Sequence, residues 1–175
     1  MFYNYGGKSR HNYKGNDMSK FTHLDESGNP SMVDVGEKVA SKRIAKARSI
    51  VVLTTEILDQ LEGSEIQTKK GPVFQTAILA GIMGAKKTGE LIPLCHPIGM
   101  DNCKIEIGLN ENKEVVIDCT AIVTAKTGVE MEAMTGATVA ALTIYDMCKA
   151  FSHDIIIKET KLMAKSGGKR DFKRK

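Results

Sequence analysis

Residues 103–123 read CKIEIGLNENKEVVIDCTAIV, and this stretch decides the fold. Apolar and polar residues alternate from Cys103 to Leu109 and again from Val115 to Val123, which is the period of a half-buried strand. The segment 110–113 between them has the composition of a turn. The stretch therefore predicts an antiparallel hairpin.

Upstream of the hairpin, the β-branched run at 50–55 predicts a strand, and a short helical piece is expected at 57–61 before Gly63 ends it. We expect a loop at 64–70 and then a helix over 71–89, with proline in its first turn. Residues 91–98, LIPLCHPI, contain two prolines and cannot form a central strand. They predict a rigid, irregular connection.

Downstream of the hairpin, the pattern predicts the longest helix, from Gly128 to about Ala150, and a last strand over 154–163. The order strand, helix, strand, strand, helix, strand is the split βαβ arrangement of ferredoxin-like domains. The predicted class is α+β, with an antiparallel sheet and both helices on one face. We expect one such domain over 21–175 with a basic C-terminal tail, after a flexible extension at 1–20.

The amino-acid composition narrows the ligands and the cellular compartments that we expect for this protein. The 175 residues are 42% hydrophobic and carry a formal charge of +4, concentrated near the two ends. That charge suits either an anionic small molecule or solvated tails that bind nothing. Four scattered cysteines favour reduced thiols and the cytoplasm. No apolar run is long enough for a signal peptide or a membrane span, and a small open sheet is expected to self-associate.

The long helix carries the most informative polar residues. At 100° per residue Asp146 and Lys149 fall on one side, close enough to exchange protons with one ligand or to form an ordinary solvated ion pair. Glu130 lies roughly opposite Asp146, so it would not share Asp146's site within one chain. It could face a neighbouring subunit or be an ordinary first-turn carboxylate that the helix dipole favours. The predicted polar stripe contains Glu132, Thr135, Thr143, Asp146 and Lys149.

Three further patterns leave alternatives open. The two glycines between Lys165 and Lys169 resemble a phosphate cradle, but also a flexible basic tail. Lys70, just before the helix at 71, predicts a second anion site that uses unpaired N–H groups. Cys95 and His96 are adjacent in the proline-rich connection, where a nucleophilic thiol or a structural role fits, while zinc spacing is absent. We predict no metal site and no cofactor.

Other classes of protein lose support. The sequence lacks a P-loop, a GxGxxG fingerprint, a GxSxG elbow and an HExxH motif. An RNA-binding module is the leading rival, because ferredoxin-like sheets and basic tails occur together in such proteins. Only 5% of residues are aromatic and tryptophan is absent, which offers little for base stacking. A sensor that binds a nucleotide without reacting it is the second rival.

Five separated segments, taken together, resemble one family. They are MVDV at 32–35, LIPLCHP at 91–97, TGVEMEA at 127–133, AALTIYDM at 140–147 and AKSGGK at 164–169. From about Thr22 to Lys169 the chain resembles the molybdenum cofactor biosynthesis protein C family, the cyclic pyranopterin monophosphate synthases. One departure is Arg170, where a small residue would commonly follow the lysine.

The resemblance implies a ferredoxin-like subunit in a homohexamer, a trimer of dimers, with active sites at dimer interfaces. The implied substrate is 3′,8-cyclo-7,8-dihydroguanosine 5′-triphosphate, supplied by an upstream radical enzyme that acts on GTP. The implied products are cyclic pyranopterin monophosphate and pyrophosphate, which makes the activity that of a lyase. Neither nucleic acid nor membrane is an expected partner.

The same resemblance assigns roles by position. Asp146 matches the active-site acid/base, and Lys149 is its expected partner in proton transfer. The other positions expected to be catalytic or to hold phosphate are Lys70, His96 and Lys165. The positions expected to bind substrate are Leu94, Cys95, His96, Met131 and Glu132, with Glu130, Arg43 and Lys86 as weaker matches.

Overall fold

A computed structural model describes residues 27–175 of the chain. The chain divides into two compact units between Val33 and Asp34, and residues 34–175 contain all the helices and strands of the fold. The flexible extension predicted for residues 1–20 lies outside the described residues. That extension and the single domain predicted over 21–175 stay predictions.

Eight strands and four helices follow one another along the described chain. In order they are β1 Ser41–Val52, α1 Thr55–Leu58, β2 Leu61–Glu62, β3 Glu65–Thr68, β4 Gly71–Pro72, α2 Val73–Lys86, α3 Thr88–Leu91, β5 Asn102–Leu109, β6 Val115–Ala125, α4 Glu130–Cys148, β7 Ile156–Ser166 and β8 Phe172–Lys173.

The main sheet has five antiparallel strands in the order β5-β6-β1-β7-β8. The hairpin predicted from residues 103–123 is confirmed: β5 pairs with β6 from Asn102 opposite Ile122 to Leu109 opposite Val115. Without the short edge strand β8, the order of the four long strands is that of a split βαβ unit. The predicted α+β ferredoxin-like class is therefore confirmed.

Both long helices cover the same face of this sheet. Ile105 and Cys119 are cross-strand partners, and they lie under Gly81 of α2 and Gly136 of α4 respectively. A Cβ atom at Gly81 would lie 2.7 Å from the carbonyl oxygen of Gly136, so the two helices cross closely there. This crossing fixes where the two ends of α4 emerge from the core.

The structure corrects several predicted boundaries. Strand β1 begins at Ser41, nine residues before the predicted start, because alternating alanines and cations have little strand propensity of their own. Its buried residues nevertheless follow the strand period through Ala45, Ala47, Ser49 and Val51. The predicted helix at 57–61 is α1, which ends at Leu58.

Three other segments differ from the prediction. The expected loop at 64–70 contains β3, which forms a small separate sheet with β2 and β4. The last long strand, β7, is displaced toward the C-terminus and ends at Ser166. The basic tail then returns as β8 and pairs with β7. Within residues 27–175, every helix is too short or too polar to cross a bilayer.

Candidate active site

Three charged side chains meet at the C-terminal end of α4. The Lys149 ammonium lies 2.8 Å from Oδ1 of Asp146, and the Lys70 ammonium lies 2.9 Å from Oδ2. Lys70 also donates to the main-chain oxygen of Asp146 at 3.0 Å. The three side chains are 46–56% exposed. The structure thus joins Lys70 to the predicted pair from 76 residues away and leaves the group open to solvent.

We call Lys70, Asp146 and Lys149 the ion triad. Their mutual interactions stabilise the charged form of each side chain. Hydrogen bonds from Lys149 and then Lys70 lower the pKa of Asp146 to about 2, and Asp146 in turn raises the pKa of Lys149. An acid and a base that work at neutral pH need pKa values near 7. The isolated chain has the opposite arrangement, a stable carboxylate between two ammonium groups.

The unpaired N–H groups expected at the start of α2 are not free. The Glu65 carboxylate already accepts hydrogen bonds there, from the N–H groups of Phe74 at 2.8 Å and Gln75 at 3.1 Å. It also accepts from Ile66 N–H. These N–H groups at the start of α2 are thus already satisfied within the chain, and Lys70 contacts Asp146 rather than this helix end.

The N-terminal end of α4 borders a second group. The Lys165 ammonium lies 2.8 Å from Oε1 of Glu130, and the Arg43 guanidinium donates to the carbonyl oxygens of Ala125 and Lys126. Burial is the largest influence on Glu130 and would raise its pKa, but the hydrogen bond from Lys165, a backbone hydrogen bond and the charges of Lys165 and Arg43 together outweigh burial and lower it. Glu130 is therefore a half-buried carboxylate that holds Lys165 in place.

A cavity of about 440 Å³, which we call the cationic cavity, opens beside this pair. Six of its lining residues are lysine or arginine, and one is a carboxylate. Such a surplus of positive charge in a concave site favours a polyanion. The charged residues that line it are Lys38, Arg43, Lys126, Glu130, Lys165, Lys169 and Arg170.

Glu132 departs from the predicted polar stripe. It is only 2% exposed, because the proline-containing connection closes over that side of α4, bringing the Cys95 thiol to 3.9 Å from Oε1. Its other oxygen, Oε2, has no hydrogen-bond partner among the described residues. Burial, and next the charge of Glu130, raises the pKa of Glu132. A buried carboxyl in this setting is favoured in its neutral form, which can donate a hydrogen bond.

The remaining predicted residues lie near Glu132. Burial and the charge of Glu132 raise the pKa of the Cys95 thiol, which argues against an activated thiolate nucleophile. Lys86 ends α2 and lines a 340 Å³ cavity together with Glu132. Leu94, Cys95 and His96 are half-buried in the connection, and Met131 is 38% exposed. Within residues 27–175, no cluster of three or more His, Cys, Asp or Glu residues could hold a metal ion.

The predicted residues form two groups rather than one. Asp146 and Glu130 are 16 residues apart on α4, which corresponds to about 24 Å along the helix. One chain therefore does not bring the ion triad to Lys165. Sequence reasoning missed Lys38 and Lys126 in the cationic cavity, although the position of Lys126 just before the segment TGVEMEA was an available signal.

The fold and these two groups define a class of protein: a ferredoxin-like α+β protein with a cationic cavity suited to a small polyanion. Residues 32–168 match the model of the MoaC family. Since this match covers most of the chain, the chain belongs to the MoaC family.

Curated relatives differ in how much of their length is matched. The chain is 48% identical over 154 residues to a protein of Xanthomonas campestris named cyclic pyranopterin monophosphate synthase, covering 93% of that protein. It is 54% identical to a molybdenum cofactor biosynthesis bifunctional protein of Synechocystis, covering 45% of it. It is 48% identical to molybdenum cofactor biosynthesis protein 1 of Dictyostelium discoideum, covering 27% of it. In each case 86–88% of this chain is matched, so it spans less than half of the two longer relatives.

Proposed function

We propose that this chain is a cyclic pyranopterin monophosphate synthase. It would convert 3′,8-cyclo-7,8-dihydroguanosine 5′-triphosphate into cyclic pyranopterin monophosphate and pyrophosphate, as a step of molybdenum cofactor biosynthesis. The observation that carries the proposal is the cationic cavity at the start of α4, in which Glu130 positions Lys165. Membership of the MoaC family and the match to nearly all of the Xanthomonas protein support it.

The chemistry asked of the site is proton transfer and phosphoryl displacement. A sugar hydroxyl oxygen attacks the α-phosphorus, the bond to the bridging oxygen breaks, and pyrophosphate leaves with the electron pair. The hydroxyl proton passes to a base. Ammonium and guanidinium groups stabilise the charge on the phosphates, which is the role we assign to Lys165 and Arg43 in the cavity, together with Lys70 and His96.

The ion triad suits proton transfer at the ring once a ligand is bound. Phosphate oxygens compete with Asp146 for Lys70 and Lys149, and each hydrogen bond that Asp146 loses raises its pKa from about 2 toward its usual value. A bound triphosphate thereby makes Asp146 a stronger base and leaves a lysine to donate a proton. We assign ring proton transfers to Asp146 and Lys149 on this basis.

A complete site requires two copies of the chain. The ion triad and the cationic cavity lie at opposite ends of α4, about 24 Å apart. An isologous dimer can place the C-terminal end of one α4 beside the N-terminal end of the other. We therefore assign the active site to a dimer interface within a homohexamer, with the upstream radical enzyme as the source of the substrate.

The four cysteines are free thiols, which fits a reducing compartment such as the cytoplasm. The RNA-binding alternative loses support from the strands themselves. The only aromatic side chain on the five strands of the main sheet is Phe172, on the outer strand β8, where Arg174 lies over its ring at 5.6 Å. RNA modules of this fold stack bases on aromatic residues of the central strands.

An assay for products tests the proposal. Purified protein is incubated with the cyclised nucleotide, and pyrophosphate and the pterin product are measured together. The expected result is stoichiometric release of both. Tight binding of the nucleotide without pyrophosphate release would overturn the proposal in favour of a sensor.

A further inference from the structure

The segment after β7 is a folded hairpin that closes one side of the cationic cavity. Gly167 adopts a φ of +84°, and a Cβ atom there would collide with the carbonyl oxygen of Lys42 on β1. Only glycine fits this close approach without strain. The turn that follows β7 is therefore seated directly against β1.

Hydrogen bonds fasten both sides of this turn. The hydroxyl of Ser41 donates to the Gly167 carbonyl oxygen at 2.8 Å, and Gly167 N–H donates to Oδ1 of Asp171 at 3.2 Å. Beyond the turn, β8 pairs with β7, and Arg174 donates from its main chain and its side chain to β7 carbonyl oxygens. Lys169 and Arg170 thus occupy the tip of a fastened hairpin at the edge of the cavity.

The cations at this tip are unengaged. Arg43 and Lys165, deeper in the cavity, already donate to carbonyl oxygens and to Glu130. By contrast, the side chains of Lys169 and Arg170 make no hydrogen bond or ion pair with any described residue, although both line the cavity. Because the turn is fastened, the backbone that carries these two cations is already in place, and only their side chains have to be ordered when an anion binds.

We propose that Arg170, with Lys169, binds the two terminal phosphates of the nucleotide, the part that leaves as pyrophosphate. Arg170 stands where the resemblance described above implies a small residue. A guanidinium can bind two phosphate oxygens at once. Arg170 would then increase the affinity of the site for both the triphosphate substrate and the pyrophosphate product. This assignment rests on the proposed function for the identity of the ligand.

The test compares Arg170→Ser with Lys173→Ser, which removes the same charge from the same hairpin at a position outside the cationic cavity. Binding of inorganic pyrophosphate is measured by calorimetry at two salt concentrations. We expect Arg170→Ser to weaken binding about five- to tenfold and Arg170→Lys to weaken it less. Lys173→Ser should leave it unchanged.

Two results would overturn the inference: Arg170→Ser binding pyrophosphate as tightly as the unaltered protein, or Lys173→Ser losing as much affinity as Arg170→Ser. Steady-state kinetics with the cyclised nucleotide add a second readout, because Arg170→Ser should raise KM about five- to tenfold and leave kcat nearly unchanged. If the unaltered protein binds pyrophosphate through Arg170 but releases none from the nucleotide, the proposed function fails while the assignment of Arg170 stands.

Discussion

The two ends of α4 carry carboxylates in opposite settings. At the N-terminal end, Glu130 is half-buried against Lys165 and Glu132 is almost fully buried beside Cys95. At the C-terminal end, Asp146 is 56% exposed between two lysines. The first end is a cavity whose walls come from one chain, whereas the second is an open surface. The proposed dimer would account for this difference, because a second copy would cover the open end.

The opposite pKa shifts of these carboxylates follow from the same difference. Burial dominates at Glu132 and raises its pKa, while hydrogen bonds from lysine dominate at Asp146 and lower its pKa to about 2. One helix therefore carries one carboxyl group whose pKa is raised and another whose pKa is lowered.

The largest expected effect is at the open end. Asp146→Asn keeps the shape of the side chain but removes the charge that holds Lys70 and Lys149, so product formation should fall at least about a hundredfold. The oligomer should remain folded, because the residue is exposed. Measured turnover and gel filtration check both statements. Asp154→Asn, another exposed carboxylate, is the control, and near-normal turnover of Asp146→Asn would defeat the assignment.

At the enclosed end we expect a smaller loss. Glu130→Gln removes the partner that positions Lys165, so kcat should fall about tenfold. Affinity for pyrophosphate should not fall, because the variant also removes the one negative charge of the cationic cavity. Kinetics and calorimetry on the same preparation separate the two effects. The exposed Glu111→Gln serves as control, and an unchanged kcat in Glu130→Gln would contradict the positioning role.

A third effect concerns the stability of the start of α2, which follows Lys70 of the ion triad in the sequence. Glu65→Ala leaves two N–H groups at the start of α2 and the N–H group of Ile66 on β3 without their partner, and should lower the free energy of unfolding by about 1 kcal/mol. Urea denaturation measures the change. Glu62→Ala, an exposed residue on β2, should cost clearly less. Equal stability of Glu65→Ala and the unaltered protein would show that the cap contributes nothing.

The smallest effect is a pH dependence at the enclosed end. Because the pKa of Glu132 is raised by folding, its favourable contribution is complete below pH 4.5 and is lost as pH rises through the folded value. Glu132→Gln cannot ionise, so the difference in melting temperature between this variant and the unaltered protein should shift in favour of the variant as pH rises from 4.5 to 8. If the melting temperatures of the two proteins change by the same amount across that pH range, the raised pKa of Glu132 is contradicted.

The topology of the fold follows from the sequence because alternation in residues 103–123 and the long apolar helix are strong periodic signals. Only the part of β1 from residue 50 onward was predicted. The earlier part contains Ala45 and Ala47, which are buried but have little strand propensity. The role of Glu65 could not be foreseen, because its acceptance of α2 N–H groups depends on the short β3–β4 turn.

The candidate site was predicted less completely than the fold. Helical geometry correctly separated Glu130 from Asp146 but placed Glu132 on the polar side, because burial by the connection at 91–98 is a tertiary effect. Nothing in the spacing of residues linked Lys70 to Asp146. Glycines 167 and 168 indicated a phosphate cradle or a tail, and the structure forms a hairpin there.

The central claim is that each active site combines the ion triad of one chain with the cationic cavity of another. Mixing inactive Asp146→Asn with inactive Lys165→Ala tests it most directly. If the claim holds, subunit exchange gives mixed dimers in which one of the two sites has both residues intact, and activity returns to about a quarter of the normal value. If both residues act within one chain, every site carries a lesion and the mixture stays as inactive as its components.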